Sequence, residues 1–428
     1  MPDEIAASKH QPRGRLLESS LWHPWGFLLS RVFKSFRHRD FRLMWFGACT
    51  STIGTWMQST AQAWLVYDLS KDSFYLGLDT FLAQVPIILF SLVGGVIADR
   101  MNRRNLLLAS QYVQMTTALI LTLLVFFKVV HVWHILCLSF IVGIAQSFGG
   151  PAYQALLPTL VGKEDIPNAI AMNSIQFNLA RVIGPTLGGI ALTTVGAAWC
   201  FGLNSLSFIA VIISLYMINV KYIPAKSSEP ILDSMRQGIG FIRQKPGMDG
   251  LIVLAFGMTL LGIPLLTFLP VFAKDVLHGG AKGFTQLLAF SGAGSVCGGL
   301  IVAAFGKIQG QGKAALMVLV LMGCIILAFS QSKHFPLSLL LIFLSGGAMM
   351  ISMSMVSSLV QAVASDEMRG RVMSVYNVAF RGGMPVGSLL LGKLIPIFSA
   401  PVIMGWSGGL LALLGLYFLV VQRRVAQL

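Results

Sequence analysis

The stretch Gly94-Gly95-Val96-Ile97-Ala98-Asp99-Arg100-Met101-Asn102-Arg103-Arg104 decides how this chain folds. About twenty apolar residues run up to its acid and three arginines, and a second apolar run opens at Leu106. A short charged hinge between two bilayer-length segments reads as a cytoplasmic loop joining two transmembrane helices. Asp99 stands where the hydrocarbon ends, so it ionises cheaply and still reaches a neighbouring helix end.

The rest of the chain extends that reading. It is 55% hydrophobic and 11% charged, with a mean hydropathy of +0.77, outside the range of soluble domains. Twelve spans follow from the runs long enough to cross roughly 30 Å of hydrocarbon, allowing two helices broken by one buried arginine each, Arg181 and Arg381. They lie near 41–66, 74–98, 105–127, 133–157, 168–195, 199–220, 248–272, 284–306, 313–331, 335–361, 371–397 and 400–422. The expected fold class is an all-α polytopic membrane protein with two pseudo-symmetric six-helix bundles.

The net charge of +15 is then a topology signal rather than a mark of nucleic-acid binding. With both termini assigned to the cytoplasm, 23 of the 31 Lys and Arg residues fall on cytoplasmic segments. The positive-inside rule therefore predicts a multi-pass membrane protein with both termini cytoplasmic. Four regions are expected: an interfacial N-terminal segment (1–40), a first bundle (41–220), a cytoplasmic linker (221–247) and a second bundle (248–428). The N-terminal segment lacks the apolar core of a cleavable signal; its aromatic and basic residues read as amphipathic. The linker holds Ile231, Met235, Ile239 and Ile242 along one face of a short surface helix. Cys49, Cys137, Cys200, Cys297 and Cys324 fall within spans at no disulfide or zinc spacing and read as packing residues.

The halves echo each other. Arg181-Val-Ile-Gly184-Pro185 and Arg381-Gly-Gly-Met-Pro385 share an Arg-x-x-x-Pro spacing, and each follows an acidic loop, Glu164-Asp165 or Asp366-Glu367. Paired six-helix halves point to a transporter with a midplane site between them. At these residues the chain resembles the major facilitator superfamily. Gly95, Ala98, Asp99, Arg100, Arg103 and Arg104 occupy positions of that family's loop signature after helix 2, with Ile97 in place of Leu and Asn102 in place of the second Gly. Asn is the mildest replacement there, since it tolerates left-handed backbone angles. Gly184-Pro185-Thr-Leu-Gly188-Gly189 is similar to the helix 5 signature of the superfamily's antiporters. The opening of helix 1, from Phe41 to Tyr67, and Arg371-Val-Met-Ser-Val-Tyr376-Asn377 most resemble the branch of transmembrane secretion effectors, enterobactin exporters and macrolide-efflux proteins.

The chemistry that remains is inside the bilayer. No phosphate-binding loop of the Gly-x-x-x-x-Gly-Lys-Ser/Thr kind occurs, no nucleophile–base arrangement stands out, and neither an enzyme, a cofactor nor nucleic-acid binding is expected. His131 and His134 have a spacing that could grip a metal, but they sit in a short loop and are not taken as a site. Ionisable residues in mid-membrane are costly and usually face a cavity or a partner. The substrate-cavity candidates are Gln58, Gln62, Gln146, Asn178, Arg181, Asn377 and Arg381, with an anionic or strongly polar part of a substrate docking at the arginines; interhelix hydrogen bonding is the competing reading. Asp79 and Asp99 are the proton-coupling candidates. Gly95, Asp99, Arg100, Arg103, Arg104, Gly184, Pro185, Gly188, Gly189 and Arg371 are the gating and motif candidates, with Asp99 meeting the start of helix 11 near Arg371 and the loop arginines pairing with carboxylates. The resemblance implies export of an amphipathic small molecule, drug- or siderophore-like, by proton antiport, from a monomer in a bacterial inner membrane. Uptake or lipid translocation on the same scaffold is the alternative, and a non-transporting receptor is a further one.

Overall fold

The computed structural model describes residues 33–219, 231–305 and 310–428. A 3-10 turn at Lys34–Arg37 precedes six long helices: α1 (Arg39–Ser70), α2 (Ser73–Arg100), α3 (Arg103–Phe126), α4 (Val132–Leu156), α5 (Ile166–Thr194) and α6 (Ala197–Met217). A surface helix, α7 (Ile231–Gln244), leads into six more: α8 (Met248–Leu261), α9 (Gly280–Phe305), α10 (Gln311–Gln331), α11 (Phe335–Val363), α12 (Arg369–Phe398) and α13 (Ala400–Leu416). The expected spans agree with these helices to within a few residues, save one. α8 stops at Leu261 and continues to Val276 only as short turns, because Pro264 and Pro270 each lack the N–H that would carry the helix on. The amphipathic stretch before residue 33, most of the linker and residues 306–309 lie outside the described residues.

Helix ends follow local chemistry. The Asp72 side chain accepts the Phe74 N–H at 2.9 Å and starts α2; Asn102 does the same for the Arg104 N–H at 3.0 Å and starts α3. Asn102 takes φ −64°, so the expected left-handed turn is not formed. The residue is there because its side chain caps a helix, a task that Gly cannot perform. α1 ends on Lys71 in the left-handed region at φ 54°.

Ten of the twelve long helices are apolar enough to cross a membrane. The other two, α1 and α5, are as long, at 32 and 29 residues, but carry runs of Thr, Ser, Gln and Asn. Such helices sit in a bilayer only where their polar face is covered by protein or water. α1 packs on α5 and α6, α2 on α4, and α3 on α4 and α6; the second set repeats this with α8 on α12, α9 on α11 and α10 on α11 and α13. The two sets meet along two seams, α2 against α12 and α5 against α9.

Successive helices alternate in direction, so the molecule has two ends. One carries Arg103, Asp165 and Arg371 and is called here the Arg103 end; the other carries Lys71, Lys128 and Lys274 and is called the Lys274 end. The apolar core divides by end. One cluster links the second set to Met57, Ala61, Val66, Leu76 and Phe201 of the first. The other, with Phe41, Leu107, Leu156, Ala169 and Leu215, is confined to the Arg103 end of the first set. The halves thus share a hydrophobic core toward the Lys274 end and keep separate cores toward the Arg103 end.

Candidate functional site

The closed end is built on close backbone approach. A Cβ on Gly77 of α2 would collide with the carbonyl oxygen of Ser388 in α12, and one on Gly189 of α5 would lie 2.5 Å from the Thr285 side chain in α9. The Ser73 hydroxyl donates to the Gly392 carbonyl across the same seam at 3.2 Å. Charged groups complete the contact. The Tyr67 hydroxyl of α1 donates to the Asp275 carboxylate, and Lys274 Nζ lies 2.5 Å from Asp68 Oδ1, which Lys71 also meets at 2.8 Å. The Lys274 ammonium stands 5.7 Å from the Trp64 ring centre, and Trp64 stacks on Phe284 of α9 at 5.9 Å. Of these residues none was singled out in advance beyond the helix 5 glycines. Lys274 and Asp275 read in sequence as the solvated end of a helix.

Deeper in, the two seams open into polar stripes. On α5, Ser174, Asn178 and Arg181 recur at helical spacing, Ser174 and Asn178 exposed and Arg181 half-buried. Ile175, Leu179 and Ile190 form a separate, exposed apolar face of the same helix, the one suited to lipid. On α12, Ser374, Asn377 and Arg381 are all exposed, and Arg381 stands seven residues before Ser388, on the side that meets α2. Ser174 and Ser374, like Arg181 and Arg381, are 200 residues apart. Arg181 lies seven residues before Gly188, whose Cβ position abuts Met57 of α1. Among the described residues neither guanidinium has a hydrogen-bond or ion-pair partner. A polar stripe exposed within a membrane span fits a water-filled gap between the halves. The Asn178 amide itself donates to the Ser174 carbonyl at 2.8 Å.

Asp79 is held in the first set alone. Its carboxylate accepts from Ser139 of α4 at 2.5 Å and from Gln62 of α1 at 2.8 Å, and the Gln62 amide also reaches Ser139 at 2.9 Å. Gln62 faces Gln58 one turn away, and Gln58 accepts from Asn204 of α6 at 2.7 Å. A chain of neutral polar side chains therefore runs from Asp79 across α1 to α6. Gln146 donates to buried Gln114 at 3.2 Å, which ties α4 to α3.

At the Arg103 end, Arg103 donates to the Ala155 carbonyl at 3.1 Å and Arg104 to the Tyr216 carbonyl at 3.1 Å, its guanidinium 5.7 Å from the Tyr216 ring. These carbonyls close α4 and α6. Through these two contacts the arginines cap carbonyls at the negative ends of two helices. The Asp99 and Arg100 side chains lie outside the described ones, so the contact expected between Asp99 and the start of α12 does too. Arg371 donates to the Met368 sulfur at 3.5 Å among its contacts, and Gly238 of α7 lies against the Arg371 backbone carbonyl. Gly95 is half-buried with open space around its Cβ position; Gly184 and Gly188 meet α1, and Pro185 is buried. Asp165 closes the α4–α5 connection, 2.8 Å from both Lys34 and His38. Those two hydrogen bonds, Lys34 first, hold its carboxyl below the usual carboxylate range. His134 Nδ1 takes the His131 backbone N–H at 3.0 Å and so caps the start of α4.

The profile of the transmembrane secretion effector family matches residues 30–427. The chain belongs to this family, a branch of the major facilitator superfamily. Curated relatives of this effector include macrolide efflux protein A of Streptococcus pyogenes, 20% identical over 82% of this chain and 88% of that protein. The staphyloferrin A transporter of Staphylococcus aureus is 25% identical over 81% and 87%, and the enterobactin exporter of Escherichia coli 24% identical over 90% and 92%. Among solved structures, a peptide transporter with bound sulfate superposes with a TM-score of 0.70 at 13% identity, covering 90% of this chain and 95% of that one. A bacterial homologue of the lysosomal transporter Spinster gives 0.67 at 15%, over 92% of each. These superpositions establish the twelve-helix fold of the effector. It is a multi-pass membrane transporter of small molecules, and its family comprises transporters rather than enzymes.

Proposed function

We propose that this effector exports an amphipathic small molecule, drug- or siderophore-like, by alternating access driven by proton antiport. The observation that carries the reading is the asymmetry of the gap: the halves are joined through core, backbone and ion pairs at the Lys274 end and keep separate cores at the Arg103 end. The concentration of Lys and Arg on segments at the Arg103 end supports a cytoplasmic position for that end in a bacterial cell, with both termini inside. In this arrangement the cavity faces the cytoplasm, ready to take substrate from it. The direction of transport follows the relatives named for efflux and export. The units that move are residues 41–220 and 248–428, joined by the linker at 221–247, in a monomer.

Asp79 acts as the proton carrier in this reading, since a carboxylate held by neutral donors keeps a proton while it is shut away from water and gives it up when an opening rehydrates it. Asp99 and Arg371 act at the cytoplasmic gate. Reconstitution into liposomes with an imposed pH gradient tests the whole proposal: substrate must accumulate against the direction of proton flow. Co-directional movement assigns uptake instead, and absence of gradient-driven flux for every probe removes proton coupling.

A further inference from the structure

We propose that the α5 and α12 stripes together form one anion-recognition site, so that the molecules this effector carries are anionic amphiphiles rather than lipophilic cations. The inference rests on the transport reading and adds the charge of the cargo. Arg181 precedes Gly189 by eight residues and Arg381 precedes Ser388 by seven, and Gly189 and Ser388 lie at the two closed seams. At 1.5 Å of rise per residue, both arginines therefore lie roughly 10 Å from those seams toward the Arg103 end, at matching depth in the two halves. Pro185 and Pro385 follow each arginine by four residues, so the local helix geometry is repeated as well.

The charge balance of this layer is one-sided. Neither guanidinium has a partner among the described residues, and Asp79, a carboxylate within the first set, has both oxygens engaged by Ser139 and Gln62. Two unpartnered cations facing a cavity with low-dielectric walls concentrate anions and repel cations. A guanidinium offers a planar fork that matches a carboxylate or a phosphate in two parallel hydrogen bonds. Asn377, one turn from Arg381 on the same exposed stripe, supplies a neutral donor beside the fork, while apolar Met353 and Phe380, half-buried on α11 and α12, are soft and aromatic surface for the rest of the molecule.

The test is equilibrium binding in nanodiscs of zwitterionic lipid, read by pyrene fluorescence with two probes that differ only in head group: pyrenebutyrate and its trimethylammonium counterpart. The carboxylate should bind about tenfold tighter, and Arg181→Gln and Arg381→Gln should each remove about that factor. Arg381→Glu should invert the preference. The Lys variants keep the charge and lose the fork, so they should retain the preference with weaker binding; they carry the test if a Gln variant does not fold. Equal or tighter binding of the cation by the unsubstituted protein, or unchanged carboxylate affinity in the folded Gln variants, overturns the proposal. So does loss of the preference in the Lys variants. Phosphatidylglycerol added to the discs should not displace the probe; displacement at probe concentrations assigns the site to a lipid head group and overturns it too. No gradient is present, so failure here is separate from failure of driven transport in liposomes.

Discussion

Asp79 shows what one residue can be asked to do. Its oxygens accept from a hydroxyl and an amide, neither of which carries charge, so the protonation state of the acid is set by water and burial rather than by a fixed counter-ion. Asp79→Asn keeps the shape and removes the titration. Uphill export driven by a pH gradient should fall to background while substrate binding and downhill exchange persist, as measured in proteoliposomes with and without the gradient. Undiminished driven export would remove Asp79 from the proton path. Asp165 makes a different prediction. Its folded carboxyl titrates below the unfolded value of about 3.9 because Lys34 and His38 hold the ionised form, so its contribution to stability is present above that value and is lost as pH falls through the folded one. Asp165→Asn should lower the melting temperature at neutral pH, and the gap between variant and parent should close below about pH 4. Both arginines and Asp79 stand out in the sequence because a charge inside an apolar run is costly unless it meets a cavity or a partner. Tyr67, Lys274 and Asp275 do not, because charge at a helix end is what any solvated end shows, and only the fold brings the end of α1 to the turns that follow α8.

Between elements, the α2–α12 seam depends on a missing side chain. A methyl on Gly77 points at the Ser388 carbonyl, whereas a methyl on Gly382, also in α12, meets nothing within 4 Å. Gly77→Ala should therefore oppose closure at the Lys274 end by about 1–3 kcal/mol, the usual penalty for overpacking, while Gly382→Ala should be neutral or slightly favourable. Cross-linking of cysteines placed at Ser73 and Gly392 reads the difference: slower in the Gly77 variant, unchanged in the Gly382 variant. Equal rates would mean that the seam has slack. The twelve helices were legible from length and hydropathy once one buried arginine was allowed in α5 and one in α12, and α1 and α5 are less apolar for a reason tied to their role. Their polar residues line bonds and stripes within the protein, as Thr52 does in taking the Gln176 amide at 2.9 Å. The break in α8 was less visible, since two prolines in a long apolar run do not say which turn gives way.

Over the whole molecule, the two halves are held shut at one end by a small charged cluster on top of a shared core. Lys274 and Asp68 are partly exposed, so their pairing is worth on the order of 1 kcal/mol or less, enough to shift a gate severalfold without locking it. Lys274→Asp alone should open the Lys274 end and speed labelling of cysteines behind it; Lys274→Asp with Asp68→Lys should recover most of the parent rate. No recovery in the double variant would mean that the cation acts through Trp64 and Tyr67 rather than through the pair.

Trp64 also turns the gate into its own optical signal. The indole lies under an ammonium and against Phe284 from the opposite half, so parting the halves replaces both neighbours with water. In a variant that keeps Trp64 as its sole indole, opening should move the emission to longer wavelength and admit collisional quenchers such as iodide. A stopped-flow trace of that emission after a pH jump would time the gate directly, with no label attached.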